Sequence, residues 1–128
     1  MKMLNRSAIN IKLKQPFVDW INGLDDESDD LVTLAEVNQE ATTYLVPELE
    51  DGEDLQVFLE ERYVDLLENE LLSWEEDPAY WPEELSREVF EAFIQVELSF
   101  MVFDLDDQAP LLAQVIDEDD DLDGETEE

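Results

Sequence analysis

DGEDLQVFLEERYVDLLENELLSW, residues 51–74, is the longest strongly periodic stretch of the chain, and its reading decides how the rest is understood. At about 100° per residue, Leu55, Leu59, Tyr63, Leu66, Leu67, Leu71 and Trp74 share one broad face, as in a helix docked on a sheet. Asp54, Glu61, Asp65, Glu68 and Glu75 fall roughly opposite. Asp51 stands where an N-cap is needed, and acids in the first turn suit the positive end of the helix dipole. At the other end Glu75, Glu76 and Asp77 sit where the dipole disfavours anions, and Pro78 stops the helix. Like charges three or four residues apart cost a few tenths of a kcal/mol per pair. Glu61, Asp65 and Glu68 therefore form either a solvated face or a binding surface. Glu70 breaks the pattern by projecting into the apolar side, where an unpaired carboxylate is costly; it is expected to reach the rim or to meet Arg62 or Arg87.

Upstream, residues 7–14 alternate, with Ile9, Ile11 and Leu13 on one side and Asn10, Lys12 and Lys14 on the other, which predicts a half-buried strand. Pro16 suits a first helical turn, and Phe17, Trp20, Ile21 and Leu24 follow at helical spacing. After an acidic loop at residues 25–30, Thr33 and Glu36 have the spacing of a capping box. Residues 41–46, ATTYLV, predict a second strand ending at Pro47.

Downstream, Ser86 is placed to cap a helix carrying Val89, Phe90, Phe93 and Ile94. Val96, Leu98, Phe100 and Val102 then alternate with Glu97, Ser99, Met101 and Phe103, predicting a third strand whose second face is apolar near its end. Residues 111–116 are read as a further short helix or strand, and residues 117–128 as a disordered acidic tail. The expected fold is α+β and two-layered, with about three mainly antiparallel strands backed by helices: one domain over residues 1–116, then the tail.

The charge bounds the function. There are 38 acids against 6 bases, a formal net charge of −32, and four of the bases (Lys2, Arg6, Lys12, Lys14) lie in the first fourteen residues. Nine acids fall in the last twelve residues, so the rest of the chain still carries −23. A hydrophobic content of 44% argues for a folded core despite that charge. The chain has no His and no Cys, which excludes Ser-His-Asp and Cys-His catalysis and Cys-ligated metals. The opening residues lack the apolar core of a secretory signal and no stretch is long enough to span a membrane, so a cytoplasmic protein is expected.

The pieces NRSA, KQPFVDW and YLVPE, with the W…DPAYWP…F run, together resemble a family of small uncharacterised acidic bacterial proteins over residues 5–105. That resemblance implies a bacterial fold and lends no activity. In size, acidity and acidic tail the chain is also similar to the DNA-mimic proteins of phages and bacteria, a likeness of composition alone.

A compact chain of this mass exposes about 7,000 Å². Evenly spread, its acids would reach about half the charge density of duplex DNA; gathered on one hemisphere, they would match it. Such a surface attracts the basic groove of a nucleic-acid-binding protein, whereas direct binding of nucleic acid is opposed by the sign of the field. The residues expected to meet a basic partner are Asp54, Glu61, Asp65, Glu68, Glu75, Glu76, Asp77 and Trp81. Trp81, with Trp74 and Tyr80, forms an aromatic cluster that serves either a partner or as a lid on the core. Asp119, Asp121, Asp123 and Gly124 match the start of a calcium loop, but the chain ends before the bidentate Glu such a loop needs. No catalytic residue, resident metal or cofactor is expected. The alternative is a structural or interaction module with an apolar surface, such as a homodimer through the third strand, its charge serving only solubility.

Overall fold

The computed structural model describes residues 1–24 and 31–116. The expected acidic loop at 25–30, the tail at 117–128 and the calcium-loop-like residues lie outside the described residues. The fold is α+β. Its centre is β2 (Ser7–Leu13), which pairs antiparallel on one side with β3 (Thr42–Val46) and on the other with β4 (Ile94–Ser99). Helix α1 (Gln15–Asn22) follows β2 with Pro16 in its first turn, and α2 (Leu34–Val37) begins in the capping box of Thr33 and Glu36.

The alternation in β2 sets the layers. Ile9, Ile11 and Leu13 point into the core with Val46 and Ile94 from the flanking strands, and Phe17, Val18, Leu59, Leu66, Leu67, Leu71 and Phe90 cover them from the helices. Asn10, Lys12, Thr43, Leu45, Gln95 and Glu97 point to the opposite, open face, as a period of two requires. At its far end β2 is held by Asn38, whose amide accepts from Leu13 N at 2.8 Å and donates to Leu13 O at 3.0 Å.

Helix α3 (Gly52–Leu72) is the predicted long helix, and Asp51 caps it by accepting from Asp54 N at 3.0 Å. Replacing Asp51 with Ala is expected to cost about 0.5–2 kcal/mol, read as a lower urea midpoint at unchanged m-value. An unchanged midpoint would show that the cap contributes nothing. Helix α4 (Arg87–Phe93) starts at Ser86, whose hydroxyl accepts from Val89 N. It passes into β4 without a loop, so Ile94 opens the strand instead of ending the helix.

The third strand departs from its expected course. It stops at Ser99, and the chain resumes pairing at β5 (Phe103–Asp104), which lies antiparallel to β1 (Lys2–Met3). Between the pairs Ala8↔Ser99 and Met3↔Phe103 the register slips by one residue, the extra one lying on the N-terminal strand. An offset of that kind bends the ladder and breaks the alternation. Phe100, Met101 and Phe103 are consequently exposed, not covered on both sides. The buried Ser7 hydroxyl braces the bend, donating to Phe100 O and accepting from Leu49 N. Residues 111–116 form neither helix nor strand and are exposed. Asp106 closes a turn by accepting from Gln108 N and Ala109 N, and Pro110, lacking an N–H, cannot extend a ladder there.

Candidate functional site

The outward stripe of α3 holds Asp54, Glu61, Asp65 and Glu68, the first three exposed and Glu68 half-buried. At 1.5 Å per residue they span about 21 Å of helix. Asp54 also accepts from Glu50 N at 2.9 Å, steadying the helix start. Arg62 donates to Asp65 at 2.7 Å, so Asp65 does take part in a helix-stabilising pair at i,i+3. Both side chains are exposed, and a pair of that kind contributes a few tenths of a kcal/mol.

Beyond the helix, the acids that its dipole disfavours have local work. Glu75 accepts from Asp77 N at 3.0 Å, and Asp77 accepts from Ala79 N at 3.0 Å, capping a 3-10 turn at Pro78–Tyr80. The aromatic segment is tied down by its indoles: Trp81 donates to Glu75 O at 2.8 Å, and Trp20 of α1 donates to Tyr80 O at 3.0 Å. Trp81 packs half-buried against the core, Tyr80 and Glu76 are exposed, and Trp74 stands at the rim. Arg87 joins α4 to α3, with Glu91 at 3.1 Å, Gln56 at 3.2 Å and Glu60 at 3.8 Å.

Glu70 meets neither Arg62 nor Arg87. It is 3% exposed on the core side of α3, where Tyr44 donates to its Oε2 at 2.6 Å and Thr42 to its Oε1 at 3.4 Å. Asn69 in turn donates to the Tyr44 hydroxyl at 2.8 Å. Burial pushes the Tyr44 phenol well above the usual tyrosine range, and its hydrogen bond to Glu70 pushes it further. Tyr44 and Thr42 alternate on the inward face of β3, so a polar pair faces the one acid that the helix turns inward.

Acids are sparse on the strands. Of the 38 acids, 14 fall in residues 25–30 and 117–128, leaving 24 described. Two of those 24, Glu97 and Asp104, lie on strands; the others belong to helices, caps and connections. The open face of the sheet carries one acid, Glu97, and one base, Lys12. Among the described residues no group of three or more carboxylates is placed to hold a metal ion, and no helix is long and apolar enough to cross a membrane. The chain matches no family model, no curated protein and no solved structure.

Self-repulsion among these acids predicts a salt response. Raising ionic strength from about 0.01 M to 0.15 M shortens the screening length from about 30 Å to about 8 Å, weakening repulsion across the helical side. Among the described residues the ion pairs lost to screening each have at least one exposed partner and are worth little. The melting temperature should therefore rise with sodium chloride, and a flat or falling one would contradict a crowded anionic surface.

Proposed function

We propose that the protein is a non-enzymatic, cytoplasmic binding protein that takes a basic, nucleic-acid-binding partner on its acidic helical side, in the manner of a DNA mimic. The partition of charge carries the proposal: strands with two acids, helices and connections with 22 among the described residues, and four of six bases in the first fourteen residues. The stripe Asp54, Glu61, Asp65 and Glu68 lies on a 21-residue helix, and Glu75, Glu76, Asp77 and Trp81, in the segment that follows it, are assigned to the same contact in this reading. A rigid row of carboxylates offers a cationic groove what a phosphate backbone offers, with the same release of counterions.

The test is retention of protein from a bacterial lysate by the immobilised chain, read at low and at high salt. Basic nucleic-acid-binding proteins retained at low salt and eluted at high salt are the expected result. If nothing basic is held, or if retention is indifferent to salt, the function is another one. A second reading rests on exposed Met3, Phe100, Met101 and Phe103 near the β1–β5 ribbon: an interaction module or homodimer joined through apolar surface. Sedimentation at several concentrations decides it, because a monomer that stays monomeric, or a dimer unaffected by Met101→Glu, excludes that interface.

A further inference from the structure

Between the C-terminal end of α3, the ends of β2 and β3 and the turn after α2 lies a cavity of about 340 Å³. Its floor is aliphatic, made by Ile11, Leu13 and Val37, all buried. Glu70 stands in its wall, Glu40 is at its exposed mouth, and Trp74 forms an aromatic rim that is 38% exposed. No base lines it.

The Glu70 carboxylate has two hydroxyl donors and, among the described residues, no cation. A carboxylate has about four acceptor positions. Two are thus left beside the cavity in a group that is 3% exposed, and burying such a charge without a positive partner is costly. An aliphatic floor with an acid in the wall and a ring at the rim matches a methylene chain that ends in a positive charge. Shape favours ammonium over guanidinium. The planar fork of an arginine needs both carboxylate oxygens along one edge, whereas a compact ammonium accepts partners arranged around a point. Each Glu70 oxygen already takes one hydroxyl, so a fork would need the two remaining positions to lie along one edge, whereas an ammonium needs only one of them.

We infer that this cavity is a binding site for one alkylammonium group, presented by the basic partner as a lysine side chain. The methylenes lie on Ile11, Leu13 and Val37, the ammonium meets Glu70, and Trp74 and Glu40 flank the entrance. Only the source of the lysine rests on the function proposed above; the pocket chemistry stands on the cavity itself.

The experiment titrates the full chain at physiological salt with Nα-acetyl-lysine methylamide, the matching arginine and norleucine amides, and spermidine. The readout is the indole N–H resonance of Trp74, with those of Trp20 and Trp81 as controls for diffuse binding to the surface. Expected are a saturable shift confined to Trp74 for the lysine amide, weaker binding of the arginine amide and none of the norleucine amide. Glu70→Gln should weaken the lysine amide at least tenfold, while Glu97→Gln, on the open face of the sheet, leaves it unchanged. Gln still accepts from Tyr44, so the fold is kept. Trp74→Leu, at the rim, is a second variant, read by titration calorimetry because it lacks the reporter indole, and should weaken binding about two- to fivefold by loss of the cation–π contact.

No saturable shift, equal shifts at all three indoles, full binding by Glu70→Gln or tighter binding of the arginine amide would each overturn the site. Tighter binding of spermidine than of the lysine amide assigns the pocket to a free polyamine and overturns the lysine. The two proposals fail separately. A lysine amide that binds while no basic protein is retained refutes the function and spares the pocket; a retained basic partner with a silent pocket does the reverse.

Discussion

Phe17→Ala is expected to destabilise the domain by about 3–5 kcal/mol, enough to unfold much of a marginally stable chain. Phe17 has no exposed surface, and it sits edge-on to Trp20 at 5.3 Å and to Phe93 at 5.3 Å. Truncation opens a cavity where α1, α4 and the sheet meet and removes two edge-to-face ring contacts. Rigid elements on three sides leave little room for collapse, which places the cost at the upper end of the range for such truncations. Chemical denaturation of the purified variant measures it. A loss under about 1 kcal/mol would mean that this corner of the core is loosely packed.

Tyr44→Phe is expected to cost about 1–3 kcal/mol at neutral pH and to flatten the alkaline limb of the stability curve. The substitution leaves a buried Glu70 oxygen without its 2.6 Å donor and Asn69 without its acceptor. The pH effect follows from the direction of the Tyr44 shift. Below about 10, the ordinary tyrosine value, the phenol is neutral whether folded or unfolded, so its ionisation contributes no slope. Above that pH the unfolded chain releases the proton, while the folded chain, with a raised phenol, keeps it. Stability then falls as pH rises, by up to about 1.4 kcal/mol per unit from this one group. The variant lacks that component, so a comparison of unfolding free energies between pH 9 and 11 isolates it, about one pH unit on either side of the ordinary value. Identical slopes in the two proteins would show that Tyr44 titrates like an exposed tyrosine.

Much of the fold is legible because local chemistry and tertiary packing agree. The alternation from Ser7, the Thr33–Glu36 capping box, the Asp51 cap and the leucine stripe of α3 each specify an element within a few residues. The third strand is less legible, because residues 96–103 alternate without a break while the bend between β4 and β5 is set by a partner strand far away in sequence. The ribbon of β1 and β5 has two residues per strand, too few for any periodicity to register.

Glu70 shows where such a reading goes astray. Its inward position follows from helical spacing, but a charge alone suggests an arginine, whereas its donors are hydroxyls 26 and 28 residues earlier. The available signal was Thr42 and Tyr44, two hydroxyl residues on the same side of a strand that otherwise carries Val46 inward. The cavity beside Glu70 could not be foreseen, since it is formed by three separated segments. On the acidic stripe, sequence spacing does place Asp54, Glu61, Asp65 and Glu68 along one side of α3, and the capping work of Asp54, Glu75 and Asp77 appears only in three dimensions.

The most direct measurement takes the partner retained at low salt and titrates its complex with the chain against a duplex DNA oligonucleotide. A surface that stands in for a polyanion predicts mutual exclusion: DNA releases the chain, and Glu61→Gln/Asp65→Asn/Glu68→Gln is displaced at lower DNA concentration. A stable ternary complex, or a triple variant displaced no more easily than the natural chain, would contradict it.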